Sequence, residues 1–463
     1  MTTREQAIDE AHRLFDRGDF LAMLRPLVAL RTESQEKDRH GELRTFLTDG
    51  IAPHLTAMGF TIRLHTNPAS THGDFMIAER HESSDRPTIL IYGHGDTVRC
   101  EPAQWRDNLD PLAVTISGDR WYGRGTADNK GQHAINIAAL RTVLKVRGGR
   151  LGFNVRLILE TGEEVGSPGL HDICRTHKNA LAADVLIASD GPRLAADRPT
   201  IFLGSRGMVR FGLSVDLRDD AHHSGNWGGL LRNPGTVLAH AITTLIDARG
   251  SILVQELRPP PITPAVREAL AGIRVSGGPD DPTIDSDWGE PSLTPEERVF
   301  GWNALEVLAF KTGNPERPLN AIPGSATAMM QLRYVIGTDV GNLGQILREH
   351  FSRAGLPWVK VDTNLSETMV ATRLDPNDPW VTWAKASIAK TTGAPPAILP
   401  NLGGSIPNDA FADILGMPTI WIPHSYPGCL QHGPNEHLLG PVVRDGLAIM
   451  AGIFWDLGEK TAG

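Results

Sequence analysis

Three observations predict an α/β fold for this chain: a mostly parallel sheet flanked by helices, with an inserted α+β domain. Short apolar runs alternate with a run of helical period, the pattern of strands covered on both faces. Near Arg206 the texture changes to polar–apolar alternation, the mark of a sheet open on one side. After about residue 370 the first texture returns. The expected organisation is therefore one α/β domain in two parts, 1–205 and 371–463, around an insertion at 206–370.

Each element has its own reason. Phe20, Leu21, Leu24, Leu27, Val28 and Leu30 recur at near-helical spacing, so residues 5–31 read as helix. The runs 87–92, 154–159, 184–188 and 418–422 are short and apolar, like buried strands. Between the first two, Ala134, Ile135, Ile137, Ala138, Leu140 and Val143 predict a helix over 131–146. Within the insertion, 209–215 alternates as a half-exposed strand. Asn233-Pro234 opens a helix to about Ala248, and strand 326–335 precedes helix 341–354. Residues 440–457 close the chain as a helix.

Composition narrows the class. The chain of 463 residues is long enough for two or three domains. It is 40% hydrophobic and 21% charged, values of an ordinary globular protein. A net charge of -9 with no basic tract argues against a nucleic-acid or anionic-membrane surface. Three dispersed cysteines, Cys100, Cys174 and Cys429, suit a reducing compartment. With a charged N-terminal segment and no apolar run of membrane-spanning length, the expectation is a cytoplasmic protein.

The chemistry-bearing residues sit where hydrophobic runs give way to Gly-rich turns. They are His94 in His94-Gly95-Asp96-Thr97-Val98, Asp128 before Asn129-Lys130-Gly131, the pair Glu163-Glu164, Asp190, and His432. Open α/β sheets gather their chemistry at the carboxyl ends of strands. Two imidazoles and several carboxylates match Zn²⁺, with Co²⁺ or Mn²⁺ as substitutes. If Asp128 bridges, two ions about 3.5–4 Å apart each receive an imidazole, a terminal carboxylate and a shared oxygen. Asp96 lies two residues past His94 on an extended segment, placed to take the proton of its far ring nitrogen. Glu163 and Glu164 are adjacent, so one is expected to bind metal and the other to serve as general base.

These segments resemble the di-zinc metallopeptidase and amidohydrolase family of carnosinases, acetylornithine deacetylase, succinyl-diaminopimelate desuccinylase, glutamate carboxypeptidase and aminoacylase. The resemblance rests on 92–98, 123–131, 163–167, 189–191, His223-Ser224-Gly225, Gly403-Gly404-Ser405-Ile406-Pro407 and 432–436, in the family's order. It implies His94 and Asp190 on one zinc, Glu164 and His432 on the other, Asp128 between them, and Glu163 as general base. It implies that Asp96 orients His94. By the same resemblance the insertion is a lid and dimerisation domain of a homodimer. His223 then reaches the neighbouring subunit's substrate carbonyl, a contribution of about 3–4 kcal/mol in the transition state. Arg333, Asn320, Gly404 and Ser405 match lid and loop positions near the substrate, with Arg333 and Ser405 on its carboxylate.

Taken singly, these residues have plainer readings. Asp128 could cap the next helix, Asp190-Gly191-Pro192 could be a turn, and His432 a loop histidine. Their joint occurrence in order overturns that. Asn401-Leu402 departs from the Arg-Glu pair that carnosinases carry before Gly-Gly-Ser-Ile-Pro, which opens the identity of the leaving amine. The favoured reading is a dipeptidase-like hydrolase of short peptides. The rival is an N-acyl-amino-acid amidohydrolase, and a metal-binding scaffold without catalysis is a remote third.

Overall fold

The structure, a computed structural model, describes residues 2–69, 73–275, 282–364 and 368–460. The chain divides into two compact units, Met1–Gly204 with Leu374–Leu399 and Pro407–Gly463, and Ser205–Arg373 with Pro400–Ile406. The short loop Pro400–Ile406 thus belongs with the inserted segment, although it follows the return to α/β texture.

The first unit is built on an eight-stranded sheet. Its order is Thr61–His65, Phe75–Arg80, Asn154–Glu160, Thr88–His94, Val185–Ala188, Thr419–Trp421, Thr200–Phe202 and Ala397–Leu399. The centre is parallel: Thr88–His94 runs with both Asn154–Glu160 and Val185–Ala188, and Val185–Ala188 runs with Thr419–Trp421. Antiparallel pairs lie toward one edge and at the Thr419–Trp421 to Thr200–Phe202 junction. Central strands buried along their length need covering on both faces, which explains the unbroken Val/Ile/Leu runs. Helices Lys130–Val146 and Gly440–Glu459 belong to the same core. Gly93 is required here, because a Cβ on it would meet His133 Cβ at 2.7 Å.

The expected N-terminal helix is two helices, Arg4–Asp16 and Asp19–Ala29. Gly18, at φ 77, turns the chain between them in a left-handed conformation that costs glycine little. Hydrophobic period alone does not register such a break. The other strands and helices lie within a few residues of their expected bounds.

The second unit has an antiparallel sheet in the order Ala304–Thr312, Ser325–Tyr334, Gly207–Asp216 and Lys360–Asp362. Val209, Phe211, Leu213 and Val215 alternate inward with Ala326, Ala328, Met330 and Leu332. They pack under helices Pro234–Leu245 and Leu343–Arg353. The opposite face carries Arg210, Gln331 and Arg333, as period-two alternation requires. No helix among the described residues is long and apolar enough to cross a membrane.

Candidate metal centre

Parallel pairing brings strand ends to one edge of the sheet, and the predicted residues follow from that. His94 closes its strand, Glu163 and Glu164 open the turn after Asn154–Glu160, and Asp190 stands two residues beyond Val185–Ala188. Asp128 precedes helix Lys130–Val146, and the Asp128–Asn129 peptide bond is cis. His432 stands in the loop before strand His437–Leu439.

These side chains converge as two triads, His94–Asp128–Asp190 and Asp128–Glu164–His432. Asp128 joins them with different oxygens: Oδ1 is 3.1 Å from His94 Nε2, and Oδ2 is 3.0 Å from His432 Nε2. His94 Nε2 is also 3.6 Å from Asp190 Oδ2, and His432 Nε2 is 3.1 Å from Glu164 Oε2. Glu163 belongs to neither triad. On the far side of His94, Nδ1 is 3.3 Å from Asp96 Oδ1.

The electrostatics are those of crowded carboxylates. Desolvation pushes Glu163 well above its ordinary value; His94 opposes this, while Glu164, Asp190 and Asp128 reinforce it. Glu164 is pushed to about 7 by burial and by Asp128, against the pull of His432. For Asp128 the hydrogen bonds to His432 and His94 overcome burial and hold the acid below the usual carboxylate range. The imidazoles answer in kind. His94 lies well above its ordinary value because Asp128, Asp190 and Asp96 outweigh its burial. Bonds to Asp128 and Glu164 take His432 to about 11. The raised pKa values of both rings, of Glu163 and of Glu164 share one cause, several acids gathered in a space that burial strips of water. Uncompensated charge away from water is costly, so this oxygen and nitrogen donor set suits divalent cations.

Several supporting residues carried no role in the sequence reading. Glu436, fully buried, accepts from Gly125 N at 3.0 Å, Ala127 N at 2.8 Å, Asp128 N at 3.0 Å and Arg124 Nη1 at 2.8 Å. It therefore fixes the loop that delivers Asp128. Asn129 donates to Ser189 O, and Gln132 donates to Ala127 O and Gly191 O, tying that loop to the Asp190 turn. Asp96 does more than face His94: its two oxygens accept from Glu163 N and Glu164 N, both at 3.1 Å. The available signal was Glu436 itself, four residues past His432 in a quoted motif.

The remaining predicted residues lie in the second unit, in two groups. His223 pairs with Ala321, and Ser224 donates to Asn320 O from both N and Oγ, so His223 and Asn320 are neighbours in one local structure. His223 is exposed, and its Nδ1 accepts from Gly225 N at 3.0 Å, which leaves Nε2 as the donor of the neutral ring. The adjacent His222 instead packs edge-on against Trp227. In the other group, Arg333 Nη1 donates to Ser405 Oγ at 2.9 Å, and Ser405 Oγ donates to Arg206 O at 2.7 Å. Among the described residues Arg333 makes no ion pair, and its pKa is lowered by burial and by Arg210. Gly404 sits in the same loop, and a Cβ there would meet nothing nearer than Leu402 Cδ2 at 3.7 Å.

A sheet-edge cluster of shared carboxylates and imidazoles on this frame defines a metal-dependent hydrolase. The model of peptidase family M20/M25/M40 matches residues 90–456, and the chain belongs to that family. It is similar to a cysteinylglycine-S-conjugate dipeptidase of Corynebacterium striatum, 29% identical over 81% of this chain and 80% of the relative. It is also similar to the beta-Ala-His dipeptidase of Rattus norvegicus, 26% identical over 84% and 80%. Among solved structures, an M20 family metallo-carboxypeptidase, Sso-CP2 from Sulfolobus solfataricus, shares the fold with a TM-score of 0.78. That match has 24% identity and covers 95% of this chain and 99% of the other.

Proposed function

We propose that the chain is a zinc-dependent hydrolase that cleaves the amide bond of dipeptides and other short peptides with a free carboxylate. The observation that carries this is Asp128, whose two carboxylate oxygens face two different imidazoles, each with its own further acid. The dipeptidase activity named for the relatives from Corynebacterium striatum and Rattus norvegicus supports the substrate class.

His94 and Asp190 would hold one zinc, Glu164 and His432 the other, and Asp128 would contact both. Such ions supply Lewis acidity toward the scissile carbonyl and lower the pKa of water. Glu163, outside both triads, takes the proton of the attacking water and delivers it to the departing amine. Asp96 keeps His94 in one tautomer and holds the Glu163–Glu164 backbone. His223 Nε2–H donates to the carbonyl oxygen as charge develops there, with Asn320 beside it. Arg333, Ser405 and the Gly404 backbone fix the substrate carboxylate, which converts remote binding into orientation.

We further propose that 206–370 is a lid and dimerisation domain of a homodimer. Its edge strand Ala304–Thr312 exposes Val307, Leu308 and Phe310 beside a backbone edge that no strand among the described residues pairs, an invitation to a second chain. His223 would then act on the neighbouring subunit's substrate. A cytoplasmic location is supported by the three free, buried cysteines. The rival amidohydrolase reading draws on Asn401-Leu402, which stands where carnosinases carry an Arg-Glu pair and leaves the identity of the departing amine open. One experiment separates the two: dipeptides against N-acetyl and longer N-acyl amino acids, with zinc, cobalt and manganese supplied separately. Faster turnover of dipeptides is expected. Preference for the acylated series would reverse the assignment, and no turnover of either would end it.

A further inference from the structure

Glu160 is the last residue of its strand, paired with His94 across the sheet, and its side chain is wholly buried. Its Oε1 accepts two hydroxyls, Tyr92 Oη at 2.8 Å and Ser167 Oγ at 2.9 Å, while Oε2 has no partner. A buried carboxyl is costly, and no step above uses it. Burial, then Asp96, pushes it up to about 7.

What Glu160 holds gives it a purpose. Glu163 and Glu164 stand on a single short turn between Gly162 and Ser167. Asp96 grips the front of that turn through the two glutamate N–H groups. At the back, Ser167 closes the turn on Gly162 O and lies at φ 51, a left-handed conformation costing a non-glycine residue about 1–2 kcal/mol. Its hydroxyl bond to Glu160 offsets that cost. Tyr92, wedged between Phe411 and Trp421, fixes Glu160 from the other side. The turn is thus clamped at both ends by buried carboxyl groups, one of them with no other evident task.

We infer that Glu160 is a positioning residue: through Ser167, and backed by Tyr92, it fixes the angle at which the turn presents Glu163 to the reacting water. The inference rests on the proposed role of Glu163. A general base is sensitive to placement, since a shift near 1 Å costs about 100-fold in rate.

The test compares Glu160→Gln, Glu160→Met, Ser167→Gly and Tyr92→Phe in the full-length, metal-loaded protein. The readouts are kcat and KM on a dipeptide, metal content by elemental analysis, and hydrogen exchange of amides 161–169. Glu160→Gln keeps the acceptor and should stay close to wild type. Glu160→Met and Ser167→Gly should lower kcat by about 10- to 100-fold with KM and metal content unchanged, and speed exchange in that turn. Ser167→Gly is the decisive variant, because glycine relieves the backbone cost yet cuts the tie. Tyr92→Phe, which keeps the ring packing, should show a weaker form of the same change. Wild-type kcat and exchange in Ser167→Gly, or equal damage in Glu160→Gln and Glu160→Met, would overturn the inference. Should Glu160→Met not fold, the Ser167 and Tyr92 variants still decide. If the wild type proves inactive on every peptide, the functional reading falls, while the exchange data still decide whether Glu160 holds the turn.

Discussion

The two units place the proposed site residues in different ways. In the first, His94, Asp96, Asp128 and Asp190 are buried and only His432 of the two triads is exposed, and the loop carrying Asp128 is tied down by buried groups such as Glu436 and Asn129. In the second, His223 is exposed and Arg333 lies part-buried on the open face of a sheet, each held by one or two bonds. The contrast separates two needs. Charge that must be compensated has to be fixed within tenths of an ångström, whereas groups that meet a substrate must stay reachable.

The sharpest way to break this contrast is Glu163→Gln. We expect a turnover loss of about 10²- to 10⁴-fold with the metal content of the wild type. Steady-state kinetics beside elemental analysis checks both halves. Loss of metal would mean that the two neighbouring glutamates have exchanged roles.

Removal of the ions should be felt next. Without cations the five acids of the first unit crowd one another, and Glu163 and Glu164 are driven toward their protonated forms. With zinc at a thousandfold excess over its dissociation constant, stability should exceed that of the chelated protein by about 4 kcal/mol. Thermal unfolding with and without chelator measures this. In Asp128→Asn most of the chelator-sensitive part should vanish, and a variant as sensitive as wild type would deny Asp128 its central place.

The same contrast explains what could be read without coordinates. A hydrophobic strand followed by a Gly-rich turn marks a strand end, which makes His94, Glu163, Glu164 and Asp190 legible from local pattern, whereas Asp128 and His432 stand in loops and are legible through the joint order of the motifs. Glu436 is not, because its task is to accept four N–H groups from a loop some 300 residues away in sequence, which no spacing encodes. The break at Gly18 escaped because apolar period continues across it. The loop Pro400–Ile406 was assigned by sequence texture, yet Arg206 Nε reaches Gly403 O and Arg206 O receives Ser405 Oγ, which draw it to the second unit.

In the second unit, His223→Ala should lower kcat by about 10²- to 10³-fold and leave metal content unchanged, the cost of one oxyanion donor. If the donor comes from a neighbouring subunit, mixing this variant with Glu163→Gln should restore activity, because a hybrid dimer contains one intact site. Full activity of His223→Ala alone would remove the role, and His222→Ala serves as the control for its packed neighbour.

Arg333 should give the smallest effect and the finest discrimination. Its guanidinium has Ser405 Oγ for a partner, Arg210 as a repelling neighbour and no acid in reach among the described residues. A carboxylate bound there gains a charge-assisted bond worth about 1.5–3 kcal/mol, which a neutral side chain cannot supply. Arg333→Met should therefore reduce kcat/KM for a dipeptide by about 10- to 100-fold, mostly through KM. Against the same dipeptide with an amidated C-terminus, variant and wild type should perform alike, because the lost charge had nothing to meet. An equal loss on both substrates would instead make Arg333 a support for the Ser405 loop, and the open sheet face would then be built for shape rather than for charge.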